Sequence, residues 1–266
     1  MAERVRRPDQ HAAVERDVLV RYLDAWTAKA LRSQRGGTYV ECGGFAADAL
    51  RVFGEFSDRL EGHLELVIVG SAVPPEVPDG LSVRVVAELG DVEAAGPLLA
   101  HVDGADTWPL ARSLARGKGH EVLVTAPAES RVVEPGCSVE LVADDGSARV
   151  LAFLTADTKH LATFKTELWA VDEFAGIRCR DPRDAEGTLV DISLTPQLLP
   201  LRRALLAELA RRGDQTVAQL QRFTLLETIY RPEDAIGALG SAITAGEIRR
   251  EPEKGRLTPR TVVGLR

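Results

Sequence analysis

Residues Thr38 to Leu50 read TYVECGGFAADAL. An apolar-rich run, a pair of glycines and the first turn of an amphipathic segment spell a short strand, a glycine turn and a helix start. This is the layout by which α/β nucleotide folds set a cofactor over a helix N-terminus. An S-adenosylmethionine loop of this kind usually runs acidic-x-Gly-x-Gly-x-Gly, because glycines let backbone N–H groups approach the ligand and the turn needs positive φ. Here Glu41 supplies the acid and Gly43 the first glycine, with Gly44 beside it, but Phe45 and Ala47 stand where the later glycines belong. The scaffold is legible and the binding loop is damaged. Glu41, Gly43 and Gly44 are the candidate cofactor contacts. The competing reading of Glu41 is a carboxylate that caps the following helix, favoured there by the dipole.

Outward from this stretch the chain alternates strands with helices. Upstream, Val14, Val18, Leu19, Tyr22, Leu23, Trp26, Ala30 and Leu31 recur at helical spacing, predicting a helix over 11–35 that covers the sheet. Downstream, a helix is expected from Ala46 to Leu60, then strands at Leu64–Gly70, Leu81–Val86, Leu98–Asp103 and Glu121–Thr125, with a helix at Trp108–Arg116. The run LELVIVG is apolar enough for a strand buried on both faces. It ends without the acid that commonly holds ribose hydroxyls, the next being Glu76. Val132–Val142 and Arg149–Thr155 pair around the turn Asp144–Ser147, and a helix follows over Thr158–Val171. The pattern predicts a doubly wound, Rossmann-like α/β sheet of the methyltransferase kind in residues 1–195.

Residues 196–266 read as a second domain. An amphipathic helix at Leu201–Arg212 ends at Gly213, Thr216 caps a short helix, Pro232 opens a third, and two strands meet around the Lys254–Gly255 turn. Three helices and a hairpin give a winged helix.

Charge divides the same way. The chain carries net −7. Residues 201–266 hold 12 Lys and Arg against 8 Asp and Glu, net +4, leaving 21 against 32, net −11, for the first 200. A basic tail on an acidic body places any nucleic-acid contact in the tail, with Arg249, Arg250, Lys254, Arg256 and Arg260 as candidate phosphate contacts. The third helix, PEDAIGALGSAITAG, has no Arg, Asn, Gln or Lys to read base edges. A protein-docking role for the same module is the alternative.

Composition excludes other classes. No apolar run reaches the roughly 18 residues of a membrane span, and residues 1–17 lack a signal-peptide centre, so a cytoplasmic protein without membrane contact is expected. Cys42, Cys137 and Cys179 are too scattered for a disulfide framework or metal site. The histidines His11, His63, His101, His120 and His160 show no metal spacing, so no metal is expected. There is no GxSxG elbow or GxxxxGK[ST] loop. Asp157, Lys159 and Lys165 are read as a solvated polar patch.

The combined pattern resembles the three-Cys-motif partner family. The residues that carry the resemblance are VLVRYLDAW (Val18–Trp26), GGFAADA (Gly43–Ala49) against a family loop Asp-Gly-Phe-Ala-Gly-x-Gly, Lys165, Trp169 and Val171 in LAFLTADTKHLATFKTELWAVDEFAG, and Glu227, Thr228 and Tyr230 in LLETIYRPEDAIGALGSAITAGEIRRE. The resemblance implies a methyltransferase-like core, a C-terminal winged helix and a three-cysteine-motif protein as partner. Gly43, Ala47 and Ala49 replace the family's acid and later glycines, so the first expectation is a degenerate, non-catalytic binding partner for protein or nucleic acid, with no cofactor. The alternative is an active S-adenosylmethionine-dependent methyltransferase, with Asp103 or Asp106, beyond the fourth strand, as substrate acceptor or general base. A metal-dependent nucleic-acid enzyme using those carboxylates has the least support.

Overall fold

The computed structural model describes residues 9–72, 74, 76–130, 136–171 and 176–266. The chain builds α1 (Gln10–Ala30), β1 (Gly37–Cys42), α2 (Ala46–Gly54), β2 (Leu64–Val69), β3 (Ser82–Val86), β4 (Leu98–Asp103), α3 (Trp108–Leu114), β5 (His120–Pro127), β6 (Gly136–Ala143), β7 (Ala148–Thr155), α4 (Thr158–Trp169), β8 (Ile177–Arg180) and β9 (Leu189–Asp191). Its nine strands form one sheet in the order β3-β2-β1-β4-β5-β7-β6-β8-β9. From β3 to β5 neighbouring strands are parallel, and from β5 to β9 they are antiparallel. This is a mixed α/β fold on a large sheet with a parallel half, compatible with a Rossmann-like arrangement.

Alternation along the central strands explains why both faces are covered. Tyr39, Leu66, Leu99, Leu123, Leu151 and Phe153 join one core with α1, α2 and α4. Their neighbours Val40, Val67, Ala100, Val122, Val124 and Ala152 join a second core with α3 on the other face. Strands buried on both sides need apolar residues in both registers, and these have them.

Several boundaries differ from the sequence reading. The first helix stops at Ala30, and α2 stops at Gly54, where the N–H groups of Glu55 and Phe56 bond three residues back to Val52 and Phe53. Such bonds tighten and end a helical turn; a 3₁₀ turn at Ser57–Arg59 completes the segment. Residues 131–135, part of one expected strand, and residues 1–8 and 172–175 lie outside the described residues. Strand β8 was not expected. Its four residues do alternate, Ile177 and Cys179 buried and Arg178 exposed, but the run is short and sits beside the polar loop 181–187. No helix among the described residues is long and apolar enough to cross a membrane.

The rest of the chain forms α5 (Leu199–Arg212), β10 (Gln215–Thr216), α6 (Val217–Glu227), α7 (Asp234–Thr244), β11 (Ile248–Glu251) and β12 (Val262–Leu265). A three-stranded sheet, β10-β12-β11, is antiparallel throughout. Thr216 and Gln219 make a reciprocal capping box at the start of α6.

The joint between this module and the large sheet overturns the reading of Lys165 as part of a solvated patch. Lys165, on α4, is fully buried. Its ammonium donates to the carbonyls of Thr224 (3.1 Å), Leu225 (2.6 Å), Thr228 (2.5 Å) and Tyr230 (3.0 Å), where α6 ends. Helix ends leave carbonyls without intrahelical partners, and a cation is favoured at that end of the dipole. One turn along α4, Trp169 Nε1 donates to the Ile229 carbonyl at 3.0 Å and its ring stacks on Tyr230 at 5.5 Å. From the other side, Ile229 N donates to Asp181 Oδ2 at 3.0 Å. The segment between α6 and α7 is thus held by three residues of the large sheet's layers.

Candidate functional site

The turn after β1 is organised by its own acid. Glu41 is buried, with 2 % of its surface exposed. Its Oε1 accepts from Gly43 N (2.6 Å), Phe45 N (3.2 Å) and His101 Nδ1 (3.0 Å), while Oε2 accepts from the Tyr39 hydroxyl at 2.5 Å. Burial alone would raise this carboxyl; the His101, Tyr39 and Phe45 interactions outweigh it and hold the group below the usual carboxylate range. Two N–H groups of the loop, which a cofactor would need, are therefore turned inward onto Glu41. This geometry is that of a carboxylate capping the turn and the start of α2, whose N-cap residue Phe45 offers no side-chain cap.

The two glycines differ in role. Gly43 lies so close to His101 that an added Cβ would collide with the imidazole. Gly44 has φ +90° and open space around it, so it is required by backbone conformation alone. Phe45 meets the His101 ring edge-on at 5.1 Å and carries Arg16 over its own ring at 5.9 Å. The aromatic ring occupying the second glycine's place thus packs against the partner of Glu41. Beyond β2 stand Gly70 and Ser71, and Glu76 lies farther on, against α2 in a cavity that also touches Ala47, Arg51 and Pro78.

Asp103 ends β4 at the carboxyl edge of the parallel strands, with a half-exposed side chain. Its Oδ1 accepts from Thr125 Oγ1 and Arg149 Nη2, each at 2.8 Å. Arg149 also donates from Nε to Glu15 Oε1 at 2.6 Å, and Glu15, on α1, has its carboxyl raised by burial against the opposing pull of Arg149. Asp103 Oδ2 keeps no partner among the described residues. Asp106 lies exposed in the 3₁₀ turn Ala105–Thr107, likewise without one. Cys42 sits in the same region, its thiol pushed up by burial and by the charges of Glu41 and Asp103.

His101, Glu15, Thr125 and Arg149 were not singled out from the sequence. A signal existed for His101: parallel pairing of β1 with β4 sets Glu41 opposite His101, and any order that makes these strands neighbours would have put the two together. Arg149 and Glu15 come from β7 and α1, and no spacing announces their meeting. Among the described residues no group of three or more His, Cys, Asp or Glu is arranged to hold a metal ion.

Near the end of the chain the five candidate cations differ in how far the fold engages them. Arg249 pairs with Asp214 at 2.7 Å. Arg250 donates to the carbonyls of Pro252 (2.9 Å) and Gly255 (2.8 Å), closing the hairpin between β11 and β12. Lys254, Arg256 and Arg260 are exposed, with Glu251 and Glu253 exposed beside them. Three acids, Asp214, Glu251 and Glu253, stand among these cations.

No protein-family model matches the chain, and no curated protein matches it.

Proposed function

We propose that this chain is a degenerate, methyltransferase-like protein that works as a binding partner and not as a catalyst. The observation that carries the reading is the inward closure of the turn after β1: Glu41 takes Gly43 N, Phe45 N, Tyr39 and His101, and so spends donors and acceptors that a nucleotide-type cofactor would need. The strand order β3-β2-β1-β4-β5-β7-β6 supports descent from a doubly wound, Rossmann-like core. The order helix, strand, helix, helix, hairpin over residues 199–265 supports a winged helix.

In this reading the winged helix docks a protein. The solvent side of α7 offers Gly237, Ser241 and Thr244 and none of the Arg, Lys, Asn or Gln side chains that make bidentate base contacts, and Arg249 and Arg250 are committed within the fold. The resemblance to three-Cys-motif partner proteins names the class of protein, one carrying three cysteine motifs. Any nucleic-acid contact would fall to Lys254, Arg256 and Arg260, and three phosphate contacts would give only a shallow salt dependence, a slope near −3 in log K against log salt.

Calorimetry with S-adenosylmethionine and S-adenosylhomocysteine tests the reading. No heat at millimolar ligand is the expected outcome. Binding at micromolar affinity, about −8 kcal/mol, abolished by Glu41→Ala, would overturn it in favour of an active methyltransferase with Asp103 or Asp106 at the substrate.

A further inference from the structure

A cavity of about 480 Å³ lies where the loop 181–188, α5 and the end of α6 meet. Its size falls in the range of small-molecule sites, and junctions between structural units are common places for them. The space has a simple origin. Ala204 and Ala207, one turn apart on α5, face it where larger side chains would fill it, and Val190, Phe223 and Ile229 supply apolar wall.

The polar groups in the lining are unequal in their commitments. Glu208 is taken by Arg211 and Arg212 at 2.5 and 2.9 Å. Asp181 accepts from the backbone N–H groups of Arg183 and Ile229 at 2.9 and 3.0 Å. Arg203 turns its Nη atoms to Glu186, Asp184 and Thr188, but its Nε is buried with no hydrogen-bond partner. The Arg183 guanidinium has no hydrogen bond or ion pair among the described residues. Arg203 Nε is enclosed by protein and out of an occupant's reach, so the uncommitted capacity facing the space is the donor capacity of the Arg183 guanidinium. Glu227 stands exposed at the edge, where water solvates it.

We propose that this cavity is a binding site for a small molecule with an apolar, aromatic-sized body and one anionic acceptor group, a carboxylate, sulfonate or phosphate, received by the Arg183 guanidinium. Phe223 and the alanine face of α5 take the apolar body. The site is independent of the turn at Glu41, so it stands whether or not the methyltransferase-like part binds a cofactor. It also touches Thr228, Ile229 and Tyr230, the segment gripped by Lys165 and Trp169, so an occupant contacts both parts of the molecule at their joint.

The test uses the full chain and two dyes of the same shape. The anionic 8-anilinonaphthalene-1-sulfonate is expected to bind saturably, one per chain, with the neutral N-phenyl-1-naphthylamine roughly tenfold weaker, the worth of one charge-assisted contact. Arg183→Gln is expected to weaken the sulfonate roughly tenfold and leave the neutral dye unchanged. Ala204→Phe, which fills the space, should abolish both; if that variant loses its helical circular dichroism, Ala207→Trp at the exposed side of α5 provides the same readout. Equal affinity for the two dyes, or sulfonate binding undiminished in a folded filled variant, would overturn the proposal.

Discussion

Two buried charges sit at two helix ends, and they are mirror images. Glu41 gathers backbone N–H groups at the start of α2; Lys165 gathers backbone carbonyls at the finish of α6. Each charge has the sign that the adjoining dipole favours. They differ in reach. The backbone donors of Glu41 lie two and four residues away, and its one distant partner, His101, sits opposite it on the neighbouring strand β4, so the anion stabilises a turn within one sheet. Lys165 bonds residues 59 to 65 positions distant, so the cation fixes how two units of the chain sit together. A local hub shapes the place where a ligand would go, whereas a distant hub shapes the assembly. This contrast agrees with a proposed function that places the protein's work in its tail and not at the glycine turn.

Removing the distant hub should have the larger effect. Lys165→Met keeps the length and apolar stem of the side chain and deletes the ammonium, leaving four carbonyls without their donor. A loss of about 2–4 kcal/mol in urea unfolding is expected, because buried carbonyls left without their donor cost about 1–3 kcal/mol each, partly offset by no longer burying a charge. Hydrogen exchange should quicken first in residues 224–230 and in α7, with β1, β2 and β4 keeping their protection. A loss below about 1 kcal/mol, or uniform loosening of the whole sheet, would make Lys165 an ordinary core residue and erase the contrast.

The pH dependence sharpens the same point. Burial pushes the Lys165 ammonium down to about 8, against an unfolded value of about 10.4. Between these values the unfolded chain keeps a proton that the folded chain has released, so this group's contribution to stability rises with pH from about 8 to about 10.4. The gap in unfolding free energy between the wild type and Lys165→Met should therefore widen over that window, by on the order of 1–3 kcal/mol. A gap that stays flat or narrows would mean that the four carbonyls hold the ammonium charged throughout.

The contrast also governs what the sequence disclosed. The turn at Glu41 was legible because its parts are neighbours: acid, glycines and helix start lie within a few residues, and the two candidate roles of Glu41 could both be written down from spacing alone. The apolar strands were legible because burial on both faces leaves no polar alternation to misread. Lys165 misled for the opposite reason. Its surroundings in sequence, Thr163, Thr166 and Glu167, are polar, and the carbonyls that justify burying a lysine lie some 60 residues on, without a side-chain signature. The tail cations were legible only as a count. A count of Arg and Lys cannot show that Arg249 is spoken for by Asp214, or that Arg250 is consumed by the hairpin's own carbonyls.

The smallest expected effect comes from Glu41→Gln, and it separates the two candidate roles of that residue. Gln keeps a carbonyl oxygen for the Gly43 and Phe45 N–H groups and replaces the second oxygen with an amide that can donate to the Tyr39 hydroxyl, so the turn should survive. The charge-assisted part of its bonds is lost, at a cost of about 1–2 kcal/mol at neutral pH. Because the folded carboxyl is held below its usual range, the native contribution is present above the unfolded value, about 4.3, and is lost as pH falls through the folded one. The difference between wild type and Glu41→Gln should accordingly close in acid, followed by urea midpoints from pH 7 down to pH 3. A carboxylate kept for a ligand instead of the turn would behave otherwise: its replacement by Gln would leave stability unchanged, or raise it, at every pH.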